Sequence, residues 1–493
     1  MITRKELERV SPESVGIPGS AVNDLIDDLD TCGTEMHGLM IARHGKVAAE
    51  GWWAPYAPGQ RHAYNSFTKT FVATAIGFCI QEGFLTLDTR AVDIFPEYAP
   101  ETISNYLNKL TVRNILRMST GMTRTVEAAP DWIRAFLACE IPDEPGTTFF
   151  YNSTGSTFLA AAVKKLTGLD VIEYLTPRLF IKTGINYENF RWLNMPDGHF
   201  IGGGGLFGTT EDQLRLMIFW LNRGVWEGER LLDEVWFDEA TRVQVDSSNS
   251  RDIKETRQGY QFQTWKCSPP RVYRADGALG QLGFVIPQLD MVVAMNQNAP
   301  YENEVIQYSM ECVYRFMEKV MPETLPENPE ACGQLRNRLL TLAIKRPATA
   351  PFAPMREKID RQTFDTGRPL SFFPPRFMDG GRLLSFNTLS FDFTSDGLKL
   401  AASCEDGLIL RFFIATDGTR AFNHIDTALP YSRLLLNGWW EGDAFLLETR
   451  WVETPNRTYY RFAFSDDGKT ATVTQDPLPI FGGNPDPIEI TVR

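Results

Sequence analysis

The sequence is short of nearly everything that metal, cofactor or nucleic-acid chemistry asks for. Its 493 residues hold five histidines (His37, His44, His62, His199 and His424). None stands in H-E-x-x-H or another metal-ligand spacing, so neither a metal nor a cofactor is expected. The seven cysteines (Cys32, Cys79, Cys139, Cys267, Cys312, Cys332 and Cys404) are odd in number, scattered, and never in C-x-x-C. That usage suits free thiols in a reducing compartment, most of them buried as small hydrophobes. Positive charge is in deficit, with 49 basic against 62 acidic residues and a net charge of −13. With no basic cluster to offset this, a phosphate backbone would be repelled, and no nucleic-acid partner is expected.

Long apolar runs are lacking too. The run Phe71 to Ile80 is too short to cross a bilayer, and Met1 to Arg9 lacks the apolar centre of a signal peptide. A cytoplasmic protein without a membrane partner is the expectation. There is no G-x-S-x-G elbow, which argues against a Ser-His-Asp α/β-hydrolase. The run Gly202 to Gly205 is not followed by Gly-Lys-Ser/Thr, so it is no P-loop and reads as a tight turn lining a cleft. No repeat of fixed period or low-complexity tract is found.

What remains is an ordinary globular composition, 43% hydrophobic and 23% charged, in a chain too long for one core. Residues 20–30 have helical spacing, and Gly38 to Glu50 alternates about a turn at His44-Gly45, as a β-hairpin does. Residues from Ser66 to Gly83 form a helix that is apolar nearly all round, hence central and buried. A short capped helix is expected over Thr111 to Met118, an irregular stretch over Phe149 to Ser153, and further helices over Thr157 to Leu166, Gln213 to Asn222 and about Asn303 to Met321. The last two flank a polar loop (Asp246 to Gly259) and four strands: Gln261 to Trp265, Val272 to Ala275, Gly283 to Ile286 and Met291 to Met295. The fold class is therefore α+β with an antiparallel sheet. Pro347, Pro351 and Pro354 mark a linker over 336–354. Beyond it, alternating strands with turns at Asp396-Gly397, Asp406-Gly407, Asp417-Gly418 and Asp467-Gly468 make residues 355–493 an all-β barrel or sandwich. Residues 1–335 form the other domain. Trp439-Trp440 reads as a core pair before a carbohydrate platform.

The chain contains one Ser-x-x-Lys, at Ser66 and Lys69. Residues three apart share a helix face, so hydroxyl and ammonium sit side by side. A serine needs an adjacent base or a desolvated lysine to act as a nucleophile, and a lysine on a buried helix has its pKa depressed. Tyr151, in the irregular loop after Pro145-Gly146, is the candidate third member. A nearby ammonium would lower its pKa, letting it take the serine proton or relay one to a leaving group. His62, four residues before Ser66, reads as a loop histidine at the site rim.

The order Ser66-x-x-Lys69, Ser119-Thr120-Gly121-Met122, Pro145-Gly146-Thr147-x-Phe149-x-Tyr151, Gly203-Gly204-Gly205-Leu206 and Gly277-x-x-Gly280-Gln281, with Pro287 closing its strand, resembles the β-lactamase-like serine hydrolases over roughly residues 10–325. That family includes class C β-lactamases, D-Ala-D-Ala carboxypeptidases, D-aminopeptidases and family VIII esterases. The resemblance implies an α/β sandwich of five to seven antiparallel strands with an all-helical subdomain, and a serine between them. It implies Ser66 as acylated nucleophile, Lys69 as its activator and Tyr151 as general base. The oxyanion hole would be the backbone N–H groups of Ser66 and Ala278. Gly277 would let substrate lie against its edge strand.

Two positions depart from the family's pattern. Ser153 replaces the asparagine of Tyr-x-Asn, and Ala275-Asp276-Gly277 replaces Lys- or His-x-Gly, so a substrate carboxylate loses its positive partner and meets Asp276. Ser153, Asp276 and Gly277 are thus the expected substrate contacts. The substrate would be a small ester, amide or peptide. A β-lactamase or penicillin-binding D,D-peptidase is one alternative, and a catalytically silent ligand-binding homologue the other. The C-terminal domain would cover the cleft or support a homodimer.

Overall fold

The computed structural model describes residues 5–126, 129–345, 353–372, 385–425, 431–476 and 485–493. Met1 to Arg4 and the linker prolines Pro347 and Pro351 lie outside them. The chain divides into two compact units with the boundary at Ile344 and Lys345.

In the first unit, α1 (Gly19–Thr31) buries Val22, Leu25, Ile26 and Leu29 at helical spacing. The hairpin β1 (Glu35–Arg43) and β2 (Lys46–Trp52) follows, turning at His44 and Gly45, both with positive φ. Later come β3 (Trp265–Lys266), β4 (Tyr273–Gly277), β5 (Gln281–Ile286) and β6 (Met291–Asn298). Their order is β2-β1-β6-β5-β4-β3, every pairing antiparallel, with Ile41 opposite Val293 and Leu282 opposite Met295. Of the strand expected over Gln261 to Trp265 only Trp265 pairs, because Gln263 takes a left-handed φ of 57°, which ends extended backbone.

Helix α2 (Thr68–Gln81) is buried on every side from Thr68 to Cys79, as its all-round apolar sequence requires. Helix α3 (Ser153–Thr167) packs against it, and the short helices Val112–Leu116 and Trp132–Leu137 pack against α3. This is the all-helical subdomain, with Phe136 stacked on Phe158 at 4.7 Å. Helix α3 starts earlier than its apolar spacing indicates, because the Asn152 side chain caps it by accepting from the Thr154 N–H. Helix α4 (Thr210–Leu221), opened by a capping box at Thr209, packs over β1, β5 and β6. Helix α5 (Val305–Met317) packs beside α1. A further helix, Pro329–Leu340, extends into the expected linker.

The second unit is a barrel. Nine strands (Thr363–Leu370, Phe386–Thr394, Gly397–Ser403, Ile409–Ala415, Arg433–Glu441, Ala444–Trp451, Arg457–Phe464, Thr470–Gln475 and Ile488–Val492) form a ring. It closes where Ala415 pairs in parallel with Asn437. The strand Ala421–His424 lies outside the ring, paired to Arg433–Glu441. Gly407, Gly418 and Gly468, each after an aspartate, have φ between 70° and 86°, which a side chain would strain. Trp439 and Trp440 are both buried, Trp440 against Phe393 and Phe445, so the pair belongs to the core. Among the described residues no helix is long and apolar enough to cross a membrane.

Candidate active site

Ser66 lies in a single 3-10 turn (Asn65–Phe67) that feeds directly into α2. The preceding Asn65 holds a left-handed φ of 49°, which asparagine tolerates better than most residues. Its side chain donates to the Ala278 carbonyl at 2.8 Å. One side chain thus ties the serine turn to the β4–β5 loop. A Cβ on Gly277 would strike the Tyr64 carbonyl and lie 3.2 Å from the Phe67 nitrogen. The missing side chain lets strand β4 approach the serine turn. The short β3 pairs with β4 at Arg274 and Tyr273, and β4 packs against the serine turn. Among the described residues no turn or loop hydrogen bond uses the Ser66 or Ala278 N–H.

Lys69 is 1% exposed. Its Nζ stands 2.8 Å from Ser66 Oγ and also donates to the Gly203 carbonyl, which lies 3.5 Å from Ser66 Oγ. Burial pushes this ammonium down to about 7, against the opposing pull of Asp276, because removing a cation from water costs more than one partly screened carboxylate returns.

The Gly203 carbonyl is a functional group that spacing arguments missed. The Gly203 N–H donates to Thr157 Oγ1 at 3.2 Å, and the Leu206 N–H to Thr68 Oγ1 at 3.2 Å. The glycine run is thus pinned to α3 on one side and α2 on the other. A Cβ on Gly203 would lie 2.5 Å from the Ser153 carbonyl. The available signal was the glycine run itself, read as a tight turn lining a cleft and as one of the motifs behind the resemblance, without a role for its carbonyl.

Tyr151 sits over Lys69, with Nζ 4.9 Å from its ring centroid, and the Ser66 side chain acts on its hydroxyl, favouring the ionised form. Trp265 stacks on the ring at 5.5 Å and Tyr260 meets it edge-on at 6.1 Å. The expected drop in its pKa does not occur. Burial raises it, outweighing the effect of Ser66, and Asp276 raises it further. The physical reason is that the neighbouring lysine is itself desolvated and gives up its charge first. Burial thus favours the protonated phenol at Tyr151 and the neutral amine at Lys69.

Ser153 opens α3 and packs its backbone against Gly203. Asn152 beside it is spent on the helix cap. Ser119 accepts from Arg117 Nε at 2.7 Å, while its carbonyl and that of Met118 accept from the N–H groups of Gly146 and Phe150. These residues strap down the loop that presents Tyr151. His62, expected on a loop, lies instead in a two-residue strand. It is buried, 2.9 Å from His37 and bonded to the Ala63 carbonyl.

Ala275 is buried in the core, and its neighbours carry the charge. Asp276 accepts from Arg274 Nε at 2.8 Å. Arg274 is fully buried and 3.8 Å from the equally buried Glu255 carboxylate, which also accepts from Tyr314 at 2.7 Å and the Ser268 N–H at 3.0 Å. Glu255 comes from a segment whose polarity suggested a solvated loop. Two carboxylates thus flank one guanidinium, with Asp276 the member nearest Lys69. Among the described residues no group of three or more His, Cys, Asp or Glu side chains is arranged to hold a metal.

Comparison with known proteins adds a family match. The family model described as Beta-lactamase matches residues 13–308. The 6-aminohexanoate-dimer hydrolase of Paenarthrobacter ureafaciens is 24% identical over 222 residues, 41% of this chain and 55% of the relative. Penicillin-binding protein 4 of Amycolatopsis lactamdurans is 28% identical over 130 residues, 25% of this chain and 34% of the relative. The chain thus spans only about half, or about a third, of these curated relatives. Among solved structures, a putative 6-aminohexanoate-dimer hydrolase from Bacillus anthracis superposes with a TM-score of 0.51 at 16% identity, over 66% of this chain and 89% of its own. The structure of SurE with D-Leu does so with a TM-score of 0.50 at 16% identity, over 96% of this chain and 99% of its own. At these identities the likeness is one of fold.

Proposed function

The chain belongs to the Beta-lactamase family, and from that premise we propose that it is a serine hydrolase that cleaves an ester or amide through an acyl-enzyme on Ser66. The observation that carries this reading is the buried Lys69 amine, 2.8 Å from Ser66 Oγ and pushed down to about 7. In the neutral amine, the contact with Ser66 reverses, and the lone pair accepts the hydroxyl proton. Ser66 Oγ then attacks the substrate carbonyl, and the oxyanion forms between the N–H groups of Ser66 and Ala278. The Tyr151 phenol gives its proton to the leaving group and regains one from the Lys69 ammonium. In deacylation water takes the leaving group's place. The neutral lysine accepts its proton, the hydroxide oxygen displaces Ser66 Oγ, and the serine recovers a proton.

The substrate is expected to lack a carboxylate beside the scissile bond. Ala275 offers no positive group there, Arg274 is buried and bonded to Asp276, and Arg251 stacks over the Tyr301 ring. An ester or amide, including one bearing an amine, suits this site better than a β-lactam. The name of the Paenarthrobacter ureafaciens relative points the same way, toward an amide. The seven free thiols suit a cytoplasmic setting.

The test is labelling by a fluorophosphonate, together with turnover of p-nitrophenyl acetate, a D-amino-acid amide and nitrocefin. Wild type should label and cleave the first two, Ser66→Ala should do neither, and nitrocefin should turn over slowly. Fast nitrocefin hydrolysis that vanishes in Ser66→Ala would shift the assignment to a β-lactamase. Wild type that never labels would make the chain a ligand-binding homologue.

A further inference from the structure

Helices α1 and α5 run side by side, and their contacts form a regular series. Asp24, Asp28 and Cys32 recur every four residues, so they share one face of α1 and its C-terminal end. On α5 and the turn after it, Lys319, Arg315 and Cys312 run in the reverse order. Lys319 Nζ pairs with Asp24 at 2.7 Å, and Arg315 Nε with Asp28 at 3.1 Å. The same register brings Cys32 and Cys312 to the third rung of this antiparallel ladder, with Cys32 Sγ donating to the Leu29 carbonyl at 3.4 Å. The Arg315 guanidinium also reaches back to Cys312 Sγ at 3.3 Å.

The two thiols are chemically unequal. Cys312 is buried, whereas Cys32 is partly exposed at the end of α1. The neighbouring Cys312 thiol lowers Cys32 to about 7 against the effect of burial, with the Thr34 backbone and Arg315 adding to it. Cys312 is raised. Such a pair has an attacking thiolate that solution can reach and a resolving thiol beside it. Cys332, the other partly exposed cysteine, has its thiol raised by burial and by Glu13.

We propose that Cys32 and Cys312 form a reversible disulfide by exchange with a small disulfide such as oxidised glutathione, covalently joining the first helix of the hydrolase unit to α5. The Cys32 thiolate attacks one glutathione sulfur, and a glutathione thiolate leaves. Cys312 then gives up its proton to solvent and attacks Cys32 Sγ in the mixed disulfide, releasing the second glutathione. Two protein thiols are oxidised and one glutathione disulfide is reduced. The bond closes most of the unit into one covalent ring, which constrains the unfolded chain.

The experiment incubates the full chain with oxidised glutathione at neutral pH, then counts free thiols and maps non-reduced peptides by mass spectrometry. Expected are the loss of two thiols, a peptide pair joining Cys32 to Cys312, a Tm raised by a few degrees, and reversal by dithiothreitol. In Cys312→Ser, checked for folding by its melting curve, glutathione should remain trapped on Cys32. Cys32→Ser should consume no thiol at the same rate. A wild type that keeps all seven thiols, stops at the glutathione adduct, or cross-links a different pair overturns the proposal.

Discussion

On the proposed assignment of Lys69 as the base in acylation, the pH–rate profile should rise through about pH 7. Taking the ammonium from its ordinary 10.5 down to about 7 corresponds to about 5 kcal/mol of burial cost, at about 1.4 kcal/mol per pH unit. An unperturbed lysine would be neutral in only about one molecule in a thousand at pH 7.5, whereas this one is neutral in most molecules there. At pH 6 the neutral fraction falls to about a tenth, so the rate should drop about tenfold for each pH unit below 7. The assay is the pre-steady-state burst of p-nitrophenolate from a p-nitrophenyl ester, or the rate of fluorophosphonate labelling, between pH 5 and 9.

The same displacement fixes a stability effect of known sign. Between about 7 and 10.5 the unfolded chain holds the Lys69 proton and the folded chain does not, so the group's destabilising effect fades as pH rises across that window and is complete below it. Melting of Lys69→Met relative to wild type should therefore become more favourable to the variant on going from pH 10 to pH 6. An acylation rate that is flat from pH 5.5 to 8.5, or one rising only above pH 9, would refute the assignment of Lys69 as the base. In the second case a tyrosine would be implicated instead.

Further outcomes follow from the same geometry. Asp276 raises the Lys69 pKa, so Asp276→Asn should move the acid limb of the profile to lower pH. Tyr151→Phe should slow acylation by an amide about 10²- to 10⁴-fold, and much less by a p-nitrophenyl ester, whose leaving group needs no proton; comparing kcat/KM for the two substrates reads this directly. Gly277→Ala would drive a methyl group into the Tyr64 carbonyl, and we expect activity to fall at least about 10²-fold, as when an oxyanion donor is removed, while circular dichroism shows a folded chain. Arg274→Met strands the Glu255 carboxylate, both side chains being 0% exposed, and should cost about 3–5 kcal/mol in denaturant unfolding, with part of the loss recovered in the Glu255→Gln double variant.

Much of the fold was legible in local sequence because its causes are local. The α1 stripe, the His44-Gly45 hairpin, the Thr209 cap and the Asp-Gly turns of the barrel all rest on residues a few positions apart. The same is true of Ser66 and Lys69, whose adjacency is one turn of helix, and of the conclusion that α2 is buried, since no face of it is polar.

The electrostatic character of the site was decided only in three dimensions. Burial lowers the Lys69 ammonium in surroundings that include the Gly203 carbonyl, 134 positions away in the chain, and burial raises the Tyr151 phenol beside Trp265 and Tyr260. The Arg274–Glu255 pair, the His37–His62 contact and the meeting of Cys32 with Cys312 likewise join distant segments. Sequence spacing specifies which side chains share a face of one element. It does not specify which faces are brought together, and desolvation, which sets these protonation states, arises only when they are.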